Sequence, residues 1–343
     1  MKSLNPKKED LLLWFCFFAL LFGPAFALFS EYSYNLEANP DILSYLKLAE
    51  LDFNDSPVRR YRFIIPFLSG GLHILLTPLK TIQPWDFPGP NFTLGLSFLI
   101  VNCSIMALSC LVLLKWLRVQ GLNFWIALIA PLLVLGSRWT PYFAGLPLVD
   151  SLYFLVICSF LYAFATGNKR LFILCLLLGP IAKESFVLFI PLFFLFCPLS
   201  LIQLCFWLMI SGLFNFSLRY GIDLMAGLDP LESYVADGNH IQHIPGSLTR
   251  LFSFHGLYEL WSVAGFFNLL LALALIKKYR SKFPAFRWDI MVFIGIIFSH
   301  AILSGELARM LYLLLPIFAY YMSFILSSLF EVEITRPSDS LEF

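Results

Sequence analysis

Charge is scarce in this sequence. Asp, Glu, Lys and Arg make up only 13% of its 343 residues, about half the share found in soluble globular domains. That shortage excludes a soluble fold. The net charge of +1 leaves no basic face of the kind that holds nucleic acid, so no nucleic-acid partner is expected. Paired cysteine motifs are missing too. Cys16, Cys103, Cys110, Cys158, Cys175, Cys197 and Cys205 all lie inside or at the ends of apolar runs, without CxxC or metal-ligand spacing. They read as small core residues, and neither a disulfide framework, a metal nor a cofactor is expected. No internal repeat, low-complexity linker or second soluble domain interrupts the chain.

Apolar residues fill the space that charge leaves. At 59% hydrophobic and 17% aromatic, the chain reads as an all-α polytopic membrane protein forming a single integral domain over residues 1–343. The run 11–29 after MKSLNPKKED is long for a signal-peptide core and lacks a clean small-x-small site, so a retained first span is expected. Lys2, Lys7 and Lys8 then hold the N-terminus in the cytoplasm. The strongest cytoplasmic signal is KKYRSKFPAFR, with Lys277, Lys278, Arg280, Lys282 and Arg287. Keeping it inside requires that FIIPFLSGGLHILLTPL, residues 63–79, lie along the outer interface instead of crossing.

The predicted topology has about ten spans. They fall at 11–29, 92–115, 122–138, 147–167, a broken pair within 171–197, then 199–217, 258–276, 288–304 and 308–330. Outer loops cover about 30–91 and 218–257, and a tail at 331–343 lies inside, which makes both termini cytoplasmic.

Against this background the stretch 31–66 stands out. It carries Glu31, Glu37, Asp41, Glu50, Asp52 and Asp55, then Arg59, Arg60 and Arg62, with Tyr32, Tyr34, Tyr45 and Tyr61 interleaved. A helical reading sets Asp41 and Tyr45 one turn apart on one face. Isolated charges recur further on. Asp150 begins a span, Lys183 and Glu184 break a hairpin, and Glu306 and Arg309 open the last span. The predicted topology brings all of them to the outer face. A charge at the centre of a membrane helix costs about 2.5 to 3.5 kcal/mol on insertion scales, so such residues pair or line a polar site. Two readings stand side by side: separate local pairs, such as Glu306 with Arg309 at i, i+3, or one shared cavity.

The order of these features resembles the multispanning GT-C glycosyltransferases of bacterial envelopes. The matching residues are Asp41, Tyr45 and Ala49 after the first span, Tyr61-Arg62-Phe63-Ile64-Ile65-Pro66 before the interfacial segment, Asp150, Gly179-Pro180-Ile181-Ala182-Lys183-Glu184, and Glu306-x-x-Arg309 before Pro316. The resemblance covers most of the chain through short motifs. It implies a GT-C-like fold in the bacterial inner membrane and a polyprenyl-phosphate sugar as donor. A glycan, lipid or protein would be the acceptor, and an acidic residue of the first outer loop would be the catalytic base. Where the family commonly carries an acidic pair after the first span, Glu31 stands alone, so Asp41, Glu31 and Glu37 are the acidic candidates.

The chemistry fits those residue types. An inverting transfer needs a carboxylate to take the acceptor's proton and cations to hold the leaving phosphate. Asp41 is the expected base; Arg59, Arg62, Lys183 and Arg309 are the expected phosphate ligands, with Tyr45, Asp150, Glu184 and Glu306 completing the substrate site. Tyr45, Trp85 and Trp139 are also suited to stacking a sugar, although interfacial aromatics ordinarily anchor the protein in the bilayer. Asp41 has a purely structural alternative as the cap of a helix beginning near Ile42. His240 and His243 have HxxH spacing, but with only Asp237 and Asp223 nearby as a third ligand they read as solvated loop residues, and His73 and His300 as structural ones. An O-antigen-type polymerase and a transporter of a lipid-linked or small polar substrate are the rival functions. The expected large late loop and an inverted repeat, their respective marks, are not seen.

Overall fold

The computed structural model describes residues 6–32, 40–54, 57–78, 92–229, 242–269, 273, 276 and 287–330. Among these every regular element is helical. Helix α1 (Pro6–Tyr32) and α5 (Phe92–Val119) are antiparallel neighbours. Asp10 and Lys115 form an ion pair at one end, while Phe29 and Phe92 meet ring to ring at 5.6 Å at the other. The connection between them therefore starts and finishes on one face of the molecule, hereafter the cavity face.

That connection contains α2 (Pro40–Ala49), the single turn α3 (Pro57–Arg60) and α4 (Ile64–Leu76). At 13 residues, α4 is about 20 Å long, short of the roughly 30 Å hydrocarbon core. It packs on α2 and α5. Its approach to α2 requires Gly70, because a Cβ there would collide with the Ala49 carbonyl.

Beyond α5 the chain turns back. Asn123 caps α6 (Phe124–Leu135), which bends by 64° into α7 (Trp139–Gly145). The return through α8 (Asp150–Thr166) begins at a tight turn that α5 organises. The buried Asn102 amide donates to the carbonyls of Leu146 and Leu148 at 3.2 and 3.0 Å and accepts from Ser151 Oγ at 2.5 Å. A polar side chain inside an apolar helix is tolerated when its hydrogen bonds are met, and here they fix where Asp150 starts its helix.

Helix α9 (Lys169–Ala182) ends at Lys183, whose extended backbone reverses the chain into a 3₁₀ turn, Glu184–Phe189, and α10 (Ile190–Phe196). Phe160, Phe186, Phe189, Phe193 and Phe293 interlock around this hairpin, each fully or almost fully buried. A Ser200–Gln203 capping box opens α11 (Leu201–Met225). Two shorter helices follow, α12 (His243–Leu251) and α13 (Phe254–Ala264), then α14 (Trp288–Ser304), α15 (Leu307–Leu311), a 3₁₀ turn and α16 (Leu315–Leu329).

Four of these stretches are long and apolar enough to cross a membrane: Lys7–Glu31, Phe92–Val119, Leu201–Met225 and Leu307–Leu329. The bent α6 and α7 pair makes a fifth if counted as one. The other apolar helices, including α8, α10 and α14, fall short of eighteen residues, because Gly, Pro and charged positions interrupt them. The expected span at 258–276 does not form as an unbroken helix: α13 ends at Ala264, before Gly265 in a left-handed conformation. Most of the basic segment 277–287 and the tail 331–343 lie outside the described residues, as do Glu37, Trp85 and His240.

Candidate functional site

A cavity of about 550 Å³ opens on the cavity face. Its charged lining is Asp41, Arg59, Arg62, Lys183, Glu184, Glu306 and Arg309. These residues come from the first connection, the α9–α10 break and the start of α15. Of the local-pair and shared-cavity readings, the structure has the shared one: the Glu306–Arg309 pair exists, but as one part of a wider network.

Arg309 is its centre. Its guanidinium grips Asp150 in bidentate fashion, Nε to Oδ1 at 2.9 Å and Nη2 to Oδ2 at 2.6 Å. Its remaining nitrogen, Nη1, donates to Asp41 Oδ2 at 3.0 Å and Glu306 Oε2 at 2.9 Å. Planar, doubly paired contact of this kind suits Arg and not Lys. Gly305, at φ +75 between α14 and α15, makes the sharp turn that brings Glu306 and Arg309 to the cavity.

Asp41 is held from two sides. Arg59 Nε reaches its other oxygen at 2.6 Å. Burial by itself would raise its pKa, but Arg309 and Arg59 outweigh burial and hold the carboxyl below the ordinary aspartate value. Helix α2 begins at Pro40, so Asp41 sits inside the first turn and not at the cap position that its structural alternative required. Ser44 Oγ, one turn on, donates back to the Pro40 carbonyl at 2.8 Å.

Arg62 donates to both oxygens of Glu184 and, through Nη1, to Tyr45 Oη at 3.2 Å. Here two expectations need correction. Tyr45 shares a face with Asp41 but is wholly buried; it orients Arg62 from behind and offers no ring to a sugar. Asp150 is likewise buried behind Arg309 and does not line the cavity. Both are positioning residues. Trp139 is also unavailable for stacking, being packed on Phe143 and donating to Ser262 Oγ at 3.0 Å. Glu31 ends α1 as an exposed residue and is not part of the lining.

The arginine segment is anchored from its reverse side. Arg60 and Tyr61 turn away from the cavity to Asp223 in the last turn of α11, with Arg60 Nη1 at 2.8 Å and Tyr61 Oη at 2.9 and 2.7 Å from its oxygens. Alternation along Arg59-Arg60-Tyr61-Arg62 thus sends one cation to the cavity, two groups to the anchor, and the next cation back to the cavity. The sequence points to the cavity cations, but it places Asp223 only as a candidate third ligand beside His240 and His243; its role as the anchor of Arg60 and Tyr61 has no local signature.

Ser185, His243, His300 and Ser304 complete the polar lining. His300 in α14 is 2% exposed, and its Nδ1 has no partner among the described residues. The expectation that His300 is purely structural therefore misses its place on the cavity wall. No group of three or more His, Cys, Asp or Glu suited to a metal occurs among the described residues.

Four carboxylates, from Asp41, Asp150, Glu184 and Glu306, balance four cations, from Arg59, Arg62, Lys183 and Arg309, so the network is neutral as a whole. Such a site admits a polar or anionic ligand by exchanging partners instead of neutralising a bare charge. Comparison of the chain with protein-family models, curated proteins and solved structures finds no match.

Proposed function

We propose that this protein is an integral membrane glycosyltransferase of GT-C-like architecture. It moves a sugar from a polyprenyl-phosphate carrier to an envelope glycan, lipid or protein acceptor. In this reading the chain crosses the bacterial inner membrane about ten times, some crossings being made by helices shorter than eighteen residues. Both termini are cytoplasmic and the cavity faces outward.

The observation that carries the reading is Asp41: a carboxylate on the wall of a roomy polar cavity, flanked by two guanidinium groups. In an inverting transfer, Asp41 takes the acceptor hydroxyl's proton as the acceptor oxygen bonds to the anomeric carbon. The bond from that carbon to the phosphate oxygen breaks, and the phosphate leaves with the electron pair. While Arg59 and Arg309 both hold it, Asp41 is a weak base. Arg309 is fixed by Asp150 and Glu306, whereas among the described residues Arg59 has only Asp41 and a 3.5 Å contact to Ser44 Oγ. Arg59 is thus the partner that an incoming substrate draws away, which frees one carboxylate oxygen and restores its basicity.

The test is sugar transfer from a set of labelled polyprenyl-phosphate sugars by the purified protein in nanodiscs, with an envelope extract as acceptor. Release of polyprenyl phosphate that depends on acceptor is the expected result. Movement of intact lipid-linked sugar across liposomes, without cleavage, would make it a transporter.

A further inference from the structure

The four cavity cations are not equivalent. Arg62 and Arg309 are saturated by carboxylates, Arg59 has a short contact to Asp41, but Lys183 has almost nothing. Its side chain is 9% exposed, and the ammonium carries three N–H groups. Among the described residues they meet only Met310 Sδ at 3.4 Å, the Asp150 carboxylate beyond hydrogen-bond range at 3.7 Å, and the face of Tyr153 at 5.8 Å. Asp150 does not need Lys183, since Arg309 already pairs both of its oxygens. A buried ammonium without an oxygen ligand is costly, and a thioether is a poor substitute.

The same corner of the cavity holds two more under-used groups. Ser185 Oγ and His300 Nδ1 are both buried; His300 Nδ1 has no partner among the described residues, and Ser185 Oγ meets only the Tyr153 hydroxyl there. Ser185 lies two residues beyond Lys183, and Tyr153, which Lys183 overlies, sets its ring against His300 at 6.0 Å. All three side chains line the cavity. A cation, a hydroxyl and an imidazole gathered on one wall with donors to spare match the oxygens of a phosphate group, which accepts several hydrogen bonds at once.

We infer that Lys183, Ser185 and His300 form a phosphate-binding subsite, and that Arg62 and Arg309 serve as structural counter-ions instead of phosphate ligands. The ligand class is a phosphate monoester or diester, whether on a lipid or free. Naming the lipid carrier's phosphate as the physiological ligand rests on the glycosyltransferase reading; the subsite itself rests on the geometry.

The experiment measures binding of farnesyl phosphate, farnesol and inorganic phosphate to the full-length protein in detergent micelles. Wild-type protein is expected to bind farnesyl phosphate more tightly than farnesol. Lys183→Met should weaken that preference by about 10- to 100-fold, the scale of a hydrogen-bonded charge contact. Ser185→Ala, which perturbs packing least, and His300→Phe should each weaken it several-fold. Displacement of farnesyl phosphate by inorganic phosphate would identify a site for phosphate as such; binding of the lipid form alone would identify a headgroup site. Unchanged farnesyl phosphate affinity in both Lys183→Met and Ser185→Ala would overturn the subsite. Lys183-dependent binding without any sugar transfer would leave it standing and sink the glycosyltransferase instead.

Discussion

Asp41 and Arg309 are 268 residues apart in the chain and touch at 3.0 Å. The contact joins the first connection to the last long apolar helix, and through Arg309 it reaches Asp150 at the head of α8. One guanidinium therefore ties three separate parts of the sequence to the wall of one cavity.

Asp41→Asn is the sharpest test of a general base. Asn keeps the shape of the side chain but cannot take a proton, so transfer should fall about 10²- to 10⁴-fold. Insertion and folding should survive. Turnover close to wild type would leave Asp41 as a structural partner of the two arginines.

Arg309 is expected to be a stability residue before it is anything else. Arg309→Ala leaves the buried Asp150 carboxylate with only Lys183 at 3.7 Å and no hydrogen-bonded cation, which should cost about 3 to 5 kcal/mol. Arg309→Lys should rescue little of that, because a single ammonium cannot reproduce the bidentate grip. Thermal unfolding in detergent checks this, and full rescue by Lys would mean that charge alone matters.

The anchor behind the arginine segment should act at a distance. Asp223→Asn removes the charge and one of the two acceptor oxygens that hold Arg60 and Tyr61, and Tyr61→Phe removes one hydrogen-bond donor to it, at about 1 kcal/mol. Both should loosen Arg59 and Arg62 without touching the cavity. The expected sign is a raised KM in Tyr61→Phe at near-normal kcat, measured once a donor is found; a stable protein with unchanged kinetics would confine Asp223 to structure.

The pH dependence follows from Asp41. Its folded pKa lies below the ordinary aspartate value because Arg309 and Arg59 overcome the opposing effect of burial. Its contribution to stability is therefore complete above that ordinary value and is lost as pH falls through the lower, folded one. Asp41→Asn should flatten the acid side of the thermal-midpoint profile. An identical acid slope in both proteins would show that other groups account for it.

Sidedness is open to labelling. In a background with the native cysteines replaced, cysteine at the exposed position 243 should react with an impermeant maleimide from outside intact cells, and cysteine at position 115 should not. The reverse pattern would invert the topology and move the cavity to the cytoplasm.

Local chemistry made part of this protein legible in the sequence. Hydropathy depends on composition within a window, so α1, α5, α11 and the closing apolar stretch could be read directly, and so could the Lys183 break. The rarity of charge also picked out most of the charged side chains that line the cavity, since an isolated Asp, Lys or Arg in an apolar run must be accommodated somewhere. What the sequence alone could not determine was how they are accommodated. Whether Asp41 caps its helix or faces a cavity depends on Arg309, 268 residues away. Whether Tyr45 and Asp150 meet a ligand or stand behind one depends on which side of Arg62 and Arg309 they occupy. The roles of Asn102, Asp223 and His300 were likewise invisible. Each sits in or beside an apolar helix as a single polar residue, and only its partners distinguish a structural hydrogen bond from a wall of the site. Those partners come from other helices, so helix packing decided their identity.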